Sequence, residues 1–223
     1  LPKQKTSKEE ILRAAFRVLR EQGAGELNAR RIAEEAGCSV QPIYSYFGGM
    51  EELMTELFEG CRRYLYRFIE ERSDPEQRFQ SAGKCHLAFA KEEKNLFRFL
   101  FLSPYMKANT FEEVYRQCAV NGVTQEIEST LGLTEAGARR LYMSMMIYTH
   151  GIACMLAAEA AKLPFEDIHP QVDFAFFSFL NQIRKEENSA GPSSGEKPCA
   201  GGNRKELENR AGNRSGEERL NNK

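Results

Sequence analysis

Apolar positions recur at helical spacing through almost all of the chain up to about residue 186, and period-two alternation is nearly absent. Ile11, Ala15, Val18 and Leu19 form an i, i+4, i+7, i+8 stripe that Gly23 closes. Asn28 is placed to cap "ARRIAEEAG", in which Ile32, Ala33 and Ala36 are apolar and Gly37 ends the helix. A short third helix is expected within "CSVQPIYSYFGGMEEL", with Ser39 as its cap. From Glu51 to about Arg72 a long helix carries Leu53, Leu57, Cys61, Tyr64, Leu65 and Phe68 on one side, stopped by Ser73, Asp74 and Pro75. Further helices are predicted over about 75–91, 93–101, 111–130, 134–163 and 165–186. "LSPYMKANT" breaks the series, and Gly132, Thr134 and Pro164 mark later joints. The expectation is an all-α protein of about nine helices. It comprises a three-helix unit over 1–50, a larger helical domain over 51–186 and a tail over 187–223. Leu207 and Leu220 are the tail's only large aliphatics, too few to offset ordering entropy, so the tail is expected to be disordered.

The small residues of "AGCS" between the second and third helices suit the tight turn of a helix-turn-helix. With Ser39 as cap, Val40, Gln41 and Pro42 fill the first turn, where the N–H that proline lacks has no intrahelical partner. Val40, Ile43 and Phe47 then share an inward face. Gln41, Pro42 and Ser45 turn outward, with Tyr44 and Tyr46 at the flanks. Glutamine matches the adenine edge, proline can touch a thymine methyl, and tyrosine hydroxyls can donate to phosphates. Taken by their spacing alone, the two tyrosines fit aromatic packing equally well.

Charge changes the picture only locally. The formal net charge is −1, so the whole chain does not advertise a polyanion partner. Yet Lys3, Lys5, Lys8, Arg13, Arg17 and Arg20 outweigh Glu9 and Glu10 in the first twenty residues. That excess fits either a solvated helix face or an arm drawn to phosphates. The six cysteines form neither a CxxC nor a Cys/His cluster, so neither a metal nor a cofactor is expected. No nucleophile–base spacing or glycine-rich phosphate loop points to an enzyme. No apolar run approaches the ~20 residues needed to span a bilayer. The start, "LPKQKTSKEE", lacks the apolar stretch of a signal peptide, so a cytoplasmic location is expected.

The run "ILRAAFRVLREQGAGELNARRIAEEAGCSVQPIYSYFGGMEEL" resembles the DNA-binding domain of the tetracycline-repressor (TetR) family of bacterial regulators. The matching positions are Ile11, Ala14, Ala15, Gly23, Ile32, Ala33, Ala36, Gly37, Ser39, Ile43, Tyr44, Tyr46, Phe47 and Leu53. Two positions depart from the family pattern. Met50 stands where a phosphate-contacting lysine is usual, and Arg31 where an acidic residue is usual. The resemblance implies a ligand-responsive DNA-binding regulator, a repressor released from a pseudo-palindromic operator by a small molecule. Its DNA contacts are expected from Lys5, Lys8, Arg30, Ser39, Val40, Gln41, Pro42, Tyr44, Ser45, Tyr46 and the position of Met50. The start of the fourth helix, behind Gly48 and Gly49, would offer backbone N–H groups to a phosphate. The alternative is a dimeric helical small-molecule-binding protein with weak or lost DNA binding, a reading that Met50 motivates.

The last predicted helix is apolar almost all round, and the one before it combines a Met-rich surface with the small residues Gly151, Ala153, Ala157 and Ala158. They are expected to pair with their symmetry mates as a homodimer, through Gly151, Met155, Ala158, Phe174, Phe177 and Leu180. A pocket for a small, largely apolar ligand is expected between helices. Phe97, Phe101, Tyr105 and Met106 would form one wall; Tyr142, Met146, His150 and Cys154 would form the other. His150, an ionisable group in an apolar helix, needs a partner from the protein or from the ligand.

Overall fold

Ser7 sets the start of the first helix. Its hydroxyl accepts the Glu10 N–H at 3.2 Å, while the Glu10 carboxylate accepts the Ser7 N–H at 2.7 Å, a reciprocal capping box. The computed structural model describes residues 6–160 and 162–189; Lys5 and most of the expected tail lie outside them. Helix α1 (Lys8–Gln22) buries Ile11, Ala14, Ala15, Val18 and Leu19, and Gly23 ends it at φ 92°. A 3-10 turn (Ala24–Glu26) leads to α2 (Ala29–Glu35), where the Asn28 side chain accepts the Arg31 N–H at 2.9 Å. Helices α3 (Gln41–Phe47), α4 (Met50–Glu70), α5 (Arg78–Glu92) and α6 (Lys94–Phe101) follow. After a 3-10 turn at Pro104–Met106 come α7 (Phe111–Cys118), α8 (Val123–Leu131), α9 (Glu135–Ala157) and α10 (Phe165–Ser189).

The protein is all-α, with ten α-helices and no strand among the described residues. None of these helices is long and apolar enough to cross a membrane. Two helices differ most from expectation. The single helix expected over 111–130 is divided: Ala119 is extended and Gly122 is left-handed at φ 80°. The Arg78 guanidinium donates to the Asn121 carbonyl at 3.2 Å and clamps that turn. Helix α9 ends at Ala157, short of 163. The Arg98 guanidinium takes the Ala157 carbonyl, Glu159 turns to φ 55°, and Lys94 pairs with Glu159 at 2.5 Å. Helix α10 runs through Pro170 in its second turn, which deletes the bond to the Glu166 carbonyl.

One apolar core runs from α1, α2 and α3 through α4 into α5, α6 and the C-terminal half of α9. The boundary expected at residue 50 falls on the first turn of α4, whose Leu53, Leu57 and Phe58 share a core with Ile11, Ile43 and Phe47. A second core joins α8, the N-terminal half of α9 and α10 through Val123, Ile127, Leu141, Tyr142, Leu180 and Ile183.

One buried carboxylate ties the two ends of the first core. Glu93, at the joint of α5 and α6, is 7% exposed. Arg20 of α1 grips it with two donors at 2.8 and 2.5 Å, and the Tyr64 hydroxyl donates to it at 2.6 Å. The hydrogen bond to Glu93 raises the Arg20 pKa, while burial and then Glu93 push the Tyr64 hydroxyl up. These three donors satisfy a carboxylate that is shut off from water.

Candidate functional site

The turn between α2 and α3 is built by the backbone. Gly37 adopts φ 66°, its N–H donates to the Glu34 carbonyl at 3.1 Å, and the Cys38 N–H donates to the Ala33 carbonyl at 2.9 Å. Helical backbone resumes at Val40 (φ −72°, ψ −19°), whose carbonyl accepts the Ile43 N–H at 3.2 Å. This shifts the expected register by one residue. Val40, not Ser39, occupies the cap position, and no side chain caps α3. Pro42 accounts for the difference: it removes an N–H that a serine at position 39 would have capped.

Ile43 and Phe47 are fully buried, as their spacing requires. Val40 is 41% exposed, contrary to its expected inward packing, because its place at the helix start lifts it off the core. Gln41, Tyr44, Ser45 and Tyr46 are exposed and Pro42 is half-buried. The outward face of α3 therefore holds an amide, three hydroxyls and the apolar surfaces of Val40 and Pro42. The Tyr46 hydroxyl donates to the Thr6 carbonyl at 3.1 Å, tying the N-terminal segment to α3.

Most of the basic residues near this face are engaged within the protein. Lys8 pairs with Glu56 at 2.5 Å and lies 5.0 Å above the Phe47 ring. Arg17 pairs with Glu35 at 2.6 Å, and Arg31 with Glu34 at 2.8 Å and Gln22 at 3.0 Å. Arg30 is exposed and makes no ion pair among the described residues. It lines a concave notch with Ala33, Glu34, Cys38, Ser39 and Val40 at the approach to α3. Met50 is half-buried and packs on the core. The first turn of α4 carries Glu51 and Glu52, so its positive dipole end already has acidic partners.

The interior residues divide between the two cores. Phe97, Phe101, His150 and Cys154 come together, joined by His86 from α5, which the sequence reading missed. His86 Nε2 lies 3.2 Å from His150 Nδ1, and His150 Nε2 lies 3.4 Å from the Cys154 sulfur. Since each neutral imidazole has one donor and one acceptor, protons in this chain run one way. Either Cys154 donates to His150 and His150 to His86, or both bonds run in reverse. The Phe97 and Phe101 rings lie 4.9–5.7 Å from each other and from the two imidazoles. Burial, then the neighbouring His150, lowers the His86 pKa to about 3; burial also lowers that of His150.

Tyr142 does not face this cluster. Its hydroxyl donates to the Cys118 carbonyl at 2.9 Å, and its ring meets Tyr115 edge-on in the second core. It is two helical turns from His150, and α9 hands those turns to different neighbours. The Tyr105 ring lies tilted against Phe99 at 5.5 Å, and Met106 lines a narrow cleft with Phe58, Arg62, Leu100, Phe101 and Cys118. Met146 is half-buried.

Along α9, Ile147, Gly151 and Met155 form an exposed stripe that Ala158 continues at the C-cap. Phe174 and Phe177 of α10 are 73% and 51% exposed. Leu180, expected on that face, is buried in the second core, because its turn of α10 leans on α8 and α9.

The comparisons with known proteins agree with this architecture. Residues 11–57 match the model described as bacterial regulatory proteins, tetR family. No curated protein matches the chain. Among solved structures, a TetR family protein from Vibrio parahaemolyticus superposes with TM-score 0.53 at 17% identity, covering 76% of this chain and 96% of that one. A member of the TetR family from Streptomyces coelicolor A3 gives TM-score 0.52 at 14% identity, covering 79% and 96%. Likeness at such identities speaks to the fold. The span from Ile11 to Leu57, with its glycine turn and its outward amide and hydroxyls, is a TetR-family N-terminal helix-turn-helix domain on an all-α chain.

Proposed function

We propose that the protein is a homodimeric transcription regulator, a repressor that a small, largely apolar molecule releases from a pseudo-palindromic operator. The observation that carries this reading is the α3 face. Exposed Gln41, Tyr44, Ser45 and Tyr46 stand on fully buried Ile43 and Phe47, within the domain that matches the family. The exposed stripe of Ile147, Met155, Phe174 and Phe177 supports twofold pairing through α9 and α10. In such a dimer the two α3 helices enter successive major grooves about 34–36 Å apart.

The ligand would bind between α5, α6 and α9 at the two histidines, inserting beside Phe97 and Phe101. Helix α6 starts directly after Glu93, which grips Arg20 of α1. A ligand that displaces α6 therefore shifts the DNA-binding domain, provided it binds the two conformations with different affinity.

The second reading, a dimeric ligand-binding protein with weak or lost DNA binding, draws on two observations. Met50 lies against the core, and Lys8 and Arg31 are held in internal ion pairs. A mobility-shift titration on the DNA upstream of the gene, at rising salt, decides between them. The regulator gives a sequence-selective complex that weakens with salt. Absence of selective binding at low salt overturns the main reading in favour of the second.

A further inference from the structure

From Ala36 to Met50 the chain holds no charged side chain, although charged residues crowd the helices before and after. That stretch includes the whole of α3 and the turn that presents it. The absence matters because base edges sort by chemistry. Guanine is read chiefly by arginine or lysine on O6 and N7, and cytosine by a carboxylate on its amino group. Neither kind of group is present on α3. Adenine is read by a glutamine or asparagine amide, and thymine by apolar contact with its methyl.

We infer that α3 reads A·T pairs, with Gln41 on an adenine and Val40 and Pro42 against the methyls of thymines beside it. This rests on the proposal that the α3 face binds DNA, and it specifies the operator chemistry. The outward turn of Val40 contributes most. As an inward residue it would be part of the core. Exposed at the helix start, it flanks Gln41 on one side while the rigid Pro42 ring flanks it on the other. The same three residues thus present apolar, amide and apolar surfaces in succession. Ser45 and the tyrosines add hydroxyls, which serve phosphates or any base and do not restore guanine preference. Arg30 in the neighbouring notch makes no ion pair among the described residues, and it is assigned to a phosphate beside Ser39.

The test is selection of binding sites from random duplex DNA by the full chain, followed by base-analogue substitution in the enriched site. Half-sites centred on A·T pairs are expected. Replacing a contacted thymine by deoxyuridine removes only its methyl and should weaken binding about fourfold. Val40→Ala, a change at an exposed position, should shrink that difference. Replacing the contacted adenine by 7-deazaadenine should weaken the native protein but leave Gln41→Ala unaffected. Half-sites fixed by G·C pairs overturn the inference, most directly if that preference vanishes in Arg30→Ala, and so does indifference to deoxyuridine. No enrichment at all overturns it together with the proposed DNA binding, whereas G·C-fixed sites leave DNA binding intact.

Discussion

Helices α3 and α10 both expose aromatic rings, but of different kinds. On α3 the exposed rings are tyrosines, Tyr44 at 53% and Tyr46 beside it, while Phe47 is fully buried. On α10 the exposed rings are phenylalanines, Phe165, Phe174 and Phe177, while Leu180 and Ile183 go inward. A tyrosine carries a hydroxyl that suits a wet, charged partner, whereas phenylalanine gains only by leaving water. The two faces thus suit the different neighbours proposed for them: a hydrated phosphate backbone for α3, and a dry protein surface for α10.

The sharpest break of this contrast is at α10. Replacing Phe174 and Phe177 together by glutamate removes apolar area and places like charges across the proposed twofold interface, where every change counts twice. The dimer dissociation constant should rise at least ~100-fold, measured by equilibrium sedimentation. Phenylalanine replacing Tyr44 should leave that constant unchanged. If the double variant stays as dimeric as the native chain, α10 is not the interface.

The interior offers a third aromatic setting, where rings enclose two imidazoles. Their lowered pKa values fix a sign. Between about pH 6.5 and pH 3 the unfolded chain binds protons that buried His86 refuses, so stability rises with pH across that window and falls on acidification. His86→Gln retains a group that can bond to His150 and should flatten the dependence of the melting temperature on pH through the upper part of that range. An unchanged slope would mean that His86 titrates in the folded protein much as it does when unfolded.

How legible these settings were in the sequence follows from the range of the interactions that make them. Helix spacing predicted Ile43 and Phe47 as core, because burial of a helix face is local and periodic. Val40 was misplaced because Pro42, two residues on, moved the helix start, a local effect that overrode a good periodic match. Asn121–Gly122 is a turn dipeptide, but the apolar pattern on either side of it reads as one helix. His150 announced its need for a partner but not which one: His86 is 64 residues away on another helix. Tyr142 and Leu180 show the same limit. A ring or a leucine on an apolar helix is plainly buried or paired, yet which neighbour takes it depends on how α9 divides its turns between the two cores.

Back at α3, Tyr44→Phe removes one hydroxyl from the wet face and leaves the ring. A hydroxyl donating to a phosphate contributes a hydrogen bond to a charged group, so binding should weaken about tenfold for each half-site. The loss should be equal on the selected operator and on unrelated duplex, as read by fluorescence anisotropy. A loss confined to the operator would make Tyr44 a base reader instead. Gln41→Ala gives the opposite pattern, lowering affinity for the operator while leaving unrelated duplex unchanged.

The smallest effect tests the departure at Met50. Its side chain packs on the core beside the first turn of α4, where Glu51 and Glu52 already answer the helix dipole. In Met50→Lys the aliphatic stem can keep that apolar contact while the ammonium reaches water, so folding should be little changed. Each new phosphate contact releases about 0.9 counterion, so in a dimer the slope of log K against log salt should steepen by about 1.8. Affinity should rise at low salt and converge with the native value as salt increases. Since the contact is to backbone, the ranking of operator sequences should not move. If the slope is unchanged, the fourth helix does not approach a phosphate at this position, and Arg30 with the α3 hydroxyls must hold the backbone without it.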